Sequence, residues 1–439
     1  MISALTQDVD RLSAGVESPM SQTAGHGSWL ERQPVILLTT TLHLDKTARL
    51  AMAFADIGCV VAVLCPPGHW VKSTRCAALC LPYGPLRPLR SLLNAIERIA
   101  PDIIIPCDDR AVRHMHTLHA STTNADVRAR LSRSLNPPET FAMTEARHDL
   151  LVLARREGIA VPDTQQINSM SDLQAWHAKQ PLPWVLKSDG SWAGMGVRIV
   201  RNWAEAVTAF ELMSRPVKLS MVLNQAVLEW DFFWLAPWLR AERVAVSAQQ
   251  YIPGNAANCA LATWKGECLA GIAVEVVMTR SHNGPASVVR VTDNCELMDS
   301  ARRLVHVLRM SGLVGFDFII EAATGKAFLV EMNARSVPLC HLALGPGRDL
   351  IAALLTRMTG THWEPRLQVT QQDLLIFFPG IWTDDPNSPL FGEGYHDVPW
   401  GEVAMLRRLL KADSKRPTFL LRCLRQVRQS LQQRSPLWQ

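Results

Sequence analysis

The run Gly315-Phe316-Asp317-Phe318-Ile319-Ile320, a turn, and the run Ala327-Phe328-Leu329-Val330-Glu331-Met332-Asn333 constrain this chain more than any other stretch. Both runs are apolar and rich in strand-favouring side chains. Between them Ala323-Thr324-Gly325 reads as a three-residue hairpin loop, with Gly325 at the left-handed position. That register sets Ala322 against Lys326, and therefore Asp317 against Glu331. Carboxylates facing each other across a ladder repel unless a positive charge lies between them. Side chains alternate along a strand, so Asn333 shares the face of Glu331, and Arg335 follows two residues on. Asp317, Glu331 and Asn333 thus form an oxygen-only cluster suited to a hard cation, Mg²⁺ or else Mn²⁺, which also takes phosphate oxygens. Phe318, Ile320, Val330 and Met332 are expected to be buried, which weighs against an edge hairpin with solvated acids.

At 439 residues the chain has room for two or three domains. Its 48% hydrophobic and 19% charged content is that of a soluble globular protein. The net charge of +5 owes much to the last forty residues, so the protein is not basic as a whole and no nucleic-acid partner is expected. Ten cysteines are scattered without a metal-ligand or disulfide pattern, with Cys76 and Cys80 one helical turn apart. Buried free thiols in a reducing cytosol explain them. No apolar run approaches the roughly 20 residues of a membrane-spanning helix, and the N-terminus lacks the basic start and apolar core of a secretory signal. A cytoplasmic enzyme of small molecules is expected, with a homodimer left open.

Residues 1–33 read as a flexible tail. From residue 34 to about 138 strands alternate with helices: a strand over Pro34 to Thr41, a helix over Leu44 to Ile57, strands over Cys59 to Cys65 and Asp102 to Cys107, and a helix over Leu89 to Ile99. This alternation predicts a parallel sheet with right-handed crossovers, a Rossmann-like half. No G-x-G-x-x-G follows the first strand, so a dinucleotide site is not supported. Asp108 and Asp109 fall at a strand's carboxyl end, where such sheets bind ligands, although a helix N-cap explains them equally well. Thr144 to Gly158 is expected as one helix capped by Thr144. The strand Trp184-Val185-Leu186-Lys187 leads into Ser188-Asp189-Gly190-Ser191-Trp192-Ala193-Gly194-Met195-Gly196 and a second strand, Val197 to Val200. Glycines let backbone N–H groups approach phosphate oxygens, and a lysine at the entrance supplies a point charge. A long flexible hairpin would look similar. Strands are further expected over Val244 to Ile252, Leu261 to Val277 (two, about Lys265-Gly266) and Val288 to Val291, with a helix over Glu296 to Met310 and a mobile loop over Thr279 to Ser287.

A lysine at a strand end, a glycine-rich loop, a Gln-rich linking strand and a hairpin ending in E-M-N-A-R together resemble the ATP-grasp superfamily, over roughly residues 34 to 360. The E-x-N-x-R signature is Glu331, Asn333 and Arg335, as in biotin carboxylase, carbamoyl phosphate synthetase and carboxylate–amine ligases. The resemblance implies a Rossmann-like domain (34–138), an ATP-grasp domain of two α+β subdomains (139–360) and a small C-terminal extension (361–439). It implies that Lys187 contacts the α- and β-phosphates, and that the loop with Gly190, Gly194 and Gly196 folds over the triphosphate. It further implies that the backbone of Gln249, Gln250, Tyr251 and Ile252 reads adenine, and that Asp317, Glu331 and Asn333 hold one or two Mg²⁺ ions. Arg335 would steady the reacting carboxylate, the plainer alternative being a salt bridge to an acid such as Asp349. Arg290 is a candidate γ-phosphate partner. Two departures stand out: the family's usual second lysine is Arg147 here, and the acid that often follows the adenine segment is missing, where the chain reads Gly254-Asn255-Ala256-Ala257-Asn258.

The activity implied is conversion of a carboxylate to an acyl phosphate by Mg-ATP, followed by attack of an amine or other nucleophile. Phosphoryl transfer needs in-line positioning and charge neutralisation more than protein nucleophiles. The alternatives are bicarbonate activation of the carboxylase or carbamoyl-phosphate type, and a non-catalytic nucleotide-binding protein. The basic stretch Arg407 to Arg434 reads as a helix docked on the body in preference to one meeting a membrane surface or acidic partner.

Overall fold

A computed structural model describes residues 33–76, 79–188, 196–215, 245–280, 284–384 and 388–414, with four isolated positions between 216 and 244. The opening alternation folds as expected. Strands β1 (Val35–Thr39), β2 (Val60–Cys65), β3 (Leu79–Pro82) and β4 (Ile103–Pro106) form a parallel sheet in the order β3-β2-β1-β4. Helices α1 (Asp45–Asp56), α2 (Pro88–Ile99), α3 (Asp109–Ser121) and α4 (Ala125–Ser134) flank it. Strands this apolar must be covered on both faces. Ile36, Leu38, Val61 and Val63 pack with Phe54 of α1, and Leu37, Leu64 and Ile104 with Ile96 of α2 and Met115 of α3. Cys76 and Cys80 are not on one helix: Cys80 lies in β3.

The helix expected from Thr144 breaks at Ala146, whose φ of −101° and ψ of 105° are extended, giving α5 (Phe141–Glu145) and α6 (Arg147–Arg156). The two halves answer to different cores. Phe141 stacks on His116 of α3, with ring centroids 3.8 Å apart, and Glu145 bonds the same imidazole. Leu150, Leu151 and Ala154 of α6 join the core beneath the hairpin. The break therefore puts Arg147 at the first position of a helix.

A second, antiparallel sheet has the order β5-β8-β6-β7, from β5 (Thr164–Ile167), β6 (Trp184–Ser188), β7 (Val197–Val200) and β8 (Val246–Gln250). Helices α7 (Met170–Lys179) and α8 (Trp203–Met213) pack on it through Trp176, Phe210 and the buried Trp184. Residues 251–253 cross from this sheet to the third.

That third sheet has seven strands, β13-β12-β9-β10-β11-β14-β15. They are β9 (Gly254–Trp264), β10 (Glu267–Thr279), β11 (Ala286–Thr292), β12 (Gly312–Glu321), β13 (Ala327–Asn333), β14 (Leu374–Phe377) and β15 (Tyr395–Asp397). Helix α9 (Cys295–Val307) covers one face with α6; α10 (Leu350–Thr359) and α1 cover the other. After residue 360, where the sequence suggests another strand over Asp373 to Pro379, the chain supplies β14, which pairs with β11, and β15 beyond it. It continues through α11 (Gly380–Asp384) to α12 (Val403–Ser414), which docks on the first domain through Arg408, 4.6 Å over the Trp70 ring. Residues 415–434 of the expected basic helix lie outside the described residues. No helix among the described residues is long and apolar enough to cross a membrane.

Candidate functional site

The hairpin β12–β13 sets Asp317 opposite Glu331, as expected, but not by the expected route. Glu321 N donates to Lys326 O, so the turn holds four residues, Ala322 to Gly325, and Ile320 faces Ala327. A bulge between the Phe318–Leu329 and Asp317–Glu331 pairs adds one residue on β13 and restores the acidic pair. Phe318 and Met332 are buried, whereas Ile320 and Val330 are only half-buried.

Around the pair the polar contacts are short and specific. Asp317 accepts from Asn258 Nδ2 at 2.6 Å on one oxygen and from Asn333 Nδ2 at 3.1 Å on the other. Burial, then the charge of Glu331, pushes its carboxyl up to about 6, against the pull of both amides and Arg335. Glu331 accepts from Arg147 Nη2 at 2.6 Å. Lys187, buried at the end of β6, is lowered to about 8, by burial first and by Arg147 second, while Glu331 and Asp317 act the other way. Four of the expected residues, Lys187, Arg147, Asp317 and Glu331, therefore feel one another's charge, although they come from the second sheet, α6 and the hairpin.

Arg335 donates from Nε to Asp109 at 2.9 Å, from Nη2 to Asn333 at 2.8 Å and from Nη1 to the carbonyl of Ser336 at 3.3 Å. Its acidic partner is thus Asp109 and not Asp349, which caps α10 and holds Arg366 at 2.8 Å. Asp108 is an N-cap: it accepts from Ala111 N at 3.0 Å and also from Thr40 and Thr41. Arg290 is not brought to this cluster. It lies beyond Glu275, Ala257 and Phe318 in the ladder, on the opposite sheet face from Asp317, and pairs with Asp373 at 2.7 Å.

The linking segment lies between the sheets. Gln249 is buried and donates to Thr164 at 3.1 Å; Gln250 pairs through its backbone with Asp163 at 2.8 Å; Tyr251 is half-buried and Ile252 buried. The carbonyl of Gly196 accepts from Ser188 N at 2.9 Å. Gly190 and Gly194 lie outside the described residues. Asn258 is the contact that the sequence did not reveal. It stands on β9 directly across from Asp317, where sequence alone noted only a missing acid.

Two cavities adjoin the cluster. One, of about 180 Å³, is lined by Arg110, Arg113, Arg147 and Glu331; the other, of about 360 Å³, by Lys46, Arg335, His341, Phe377 and Phe378. Asp108 and Asp109 line both. Among the described residues no group of three or more His, Cys, Asp and Glu side chains is placed to hold a metal ion. The hairpin offers two carboxylates and an amide, an oxygen donor set of the kind a hard divalent cation takes.

No protein-family model matches this chain, and no curated protein matches its sequence. Solved structures do match. An N5-carboxyaminoimidazole ribonucleotide synthetase in complex with ADP is 14% identical at a TM-score of 0.54, over 74% of this chain and 77% of that one. An L-amino acid ligase from Bacillus licheniformis is 12% identical at 0.52, over 74% and 75%. A biotin carboxylase from Campylobacter jejuni, in an ATP complex, is 13% identical at 0.53, over 74% and 71%. These enzymes share the ATP-grasp fold, and this chain has it.

Proposed function

We propose that this ATP-grasp chain is an ATP-dependent ligase: it converts a carboxylate to an acyl phosphate and passes the acyl group to an amine, releasing ADP and phosphate. The observation that carries the reading is the convergence of Lys187, Arg147 and the Asp317–Glu331 pair on one site between two sheets. A carboxylate is a poor electrophile, and phosphorylation gives it a leaving group. What the protein must supply is placement and positive charge. Lys187 offers a buried point charge to the phosphates. Arg147, held beside the site by Glu331, has the geometry to grip a phosphate with two N–H groups, so it can stand in for the family's lysine. Asp317, Glu331 and Asn333 would hold Mg²⁺ (Mn²⁺ suits the same donors), which when bound neutralises phosphate charge. Arg335, fixed by Asp109 and Asn333, would orient the carboxylate. The segment Gln249 to Ile252 would read adenine through its backbone, and the loop with Gly190, Gly194 and Gly196 would close over the triphosphate and exclude water. All nine described cysteines are free thiols, which suits a cytoplasmic setting.

The apolar cavity beside Arg335 favours an organic substrate over bicarbonate. The test is ADP release screened over carboxylic acids crossed with amines and thiols. One acid and nucleophile pair should release ADP, and Glu331→Gln should not. Release with bicarbonate and no organic acid would favour the carboxylase reading. Tight Mg-ATP binding without ADP from any pair would make the protein a nucleotide-binding one.

A further inference from the structure

The larger cavity holds a group that phosphate chemistry does not use. His341 ends the short 3-10 turn Pro338–His341, six residues after Arg335, and lines the same cavity. Its Nε2 lies 2.9 Å from Asp397 Oδ2 at the end of β15, and Arg49 of α1 bonds the other oxygen of that buried carboxylate. Burial alone would raise the Asp397 carboxyl, but His341 and Arg49 outweigh it and hold it well below its ordinary range. An ionised carboxylate only accepts, so the imidazole proton sits on Nε2 and Nδ1 carries the lone pair. No described residue takes a hydrogen bond from or gives one to Nδ1. The other groups facing His341 are Lys46 and Arg49 on α1, and Arg366, whose Nη1 donates to the His341 carbonyl at 3.0 Å. Burial lowers the imidazole pKa, and Arg49 and Lys46 lower it further against the pull of Asp397, which keeps the ring a neutral base.

Much of the rest of the cavity is apolar, and two of its charged side chains are committed. Leu42, Leu44, Leu50, Val337, Phe377 and Phe378 form its walls. Lys46 is tied to the Phe378 carbonyl at 3.0 Å and to Asp45 at 3.2 Å, and Asp109 to Arg335. About 360 Å³ suits a small organic molecule.

We infer that His341, oriented by Asp397, is the base that takes the proton from an attacking amine, and that the cavity it lines accepts an amine carried on an apolar body. This rests on the ligase reading. The ammonium form gives its proton to Nδ1, and the freed nitrogen lone pair attacks the acyl carbon. The C–O bond to phosphate then breaks, phosphate leaves with that electron pair and takes the second N–H proton as the amide forms, and His341 returns the first proton to solvent. His341 is the catalytic residue of this step and Asp397 a positioning residue. The plainer role is a clamp joining α1, the turn and β15, and the test separates the two.

Hydroxylamine is already unprotonated at neutral pH and needs no base, whereas benzylamine is protonated and apolar. With the carboxylate that gives most hydroxamate, both nucleophiles are run against wild type, His341→Gln and Asp397→Asn, with melting temperatures alongside. In His341→Gln the ratio of benzylamide to hydroxamate should fall on the order of a hundredfold or more, and the deficit should shrink as pH rises. Asp397→Asn should lower the same ratio about tenfold or more, which keeps the test alive if one variant fails to fold. An unchanged ratio overturns the inference, whether both rates fall together, as for a clamp, or neither does. Hydroxamate without benzylamide in the wild type overturns the apolar-amine subsite and leaves the ligase standing. No hydroxamate with any acid overturns the ligase reading and this inference with it.

Discussion

Replacing Lys187 by methionine should stabilise the nucleotide-free protein while removing its affinity for ATP. The ammonium is lowered from 10.5 to about 8, by burial first and by Arg147 second, even though Glu331 and Asp317 favour its charge. A tenfold change in proton affinity corresponds to about 1.4 kcal/mol, so the cost of holding the charged form in the fold is about 3 kcal/mol at neutral pH. The sign follows from proton counting. Between pH 8 and 10.5 the unfolded chain binds more protons at this residue than the folded one, so stability rises with pH through that window and is lost again as pH falls back to 8. Methionine has a similar length and no charge, and should recover about 1–3 kcal/mol at pH 7. Urea unfolding of both proteins at pH 7 and pH 10 measures this, and the gain should shrink at the higher pH. The lowered lysine also predicts a proton uptake. Phosphates around Lys187 restore its charge, so Mg-ATP binding at pH 8 should take up about half a proton, read by calorimetry in two buffers of different ionisation enthalpy. A variant less stable than wild type at pH 7, or binding without proton uptake, would refute the reasoning.

Three further outcomes follow from the site. Glu331→Gln should abolish ADP release and keep the fold, at a cost of about 1 kcal/mol for the Arg147 pair; NMR titration should find the Asp317 carboxyl lower, because the charge of Glu331 helps to raise it. Arg335→Lys should keep Mg-ATP affinity within a few-fold but lose on the order of a hundredfold in turnover, since a lysine cannot reproduce the fork that meets Asp109 and Asn333; weaker ATP binding with unchanged turnover at saturation would put this residue on the nucleotide. Asn258→Ala removes a donor 2.6 Å from Asp317, so that carboxyl should titrate higher and ADP release should lose activity on the acid side sooner than wild type.

How much of this was legible in the sequence depends on the range of the contact. The parallel sheet, the two-stranded entry of Lys187 and the acidic hairpin follow from local periodicity and were readable. The pairing of Asp317 with Glu331 was read correctly from a wrong loop length, because a bulge on β13 compensates a turn one residue longer than expected. Alternation alone carries no sign of such an insertion. Asn258 and Asp109 touch the site only because β9 lies beside β12 and the first domain packs against the hairpin, which no local pattern encodes. Arg290 failed for the same reason in reverse: strand order carries it to the far face and onto Asp373. The break at Ala146 was hidden because Phe141 to Arg156 has helical composition throughout, and only the competing cores split it. His341 and Asp397, 56 residues apart, gave no signal in the sequence.

The central claim is that a carboxylate oxygen is phosphorylated in this site, and isotope transfer tests it most directly. With the acid found by the ADP screen labelled by ¹⁸O in its carboxyl group, turnover in the presence of amine should release phosphate carrying one ¹⁸O per ADP, and Glu331→Gln should release none. Acid-dependent ADP release with unlabelled phosphate would contradict the acyl phosphate route.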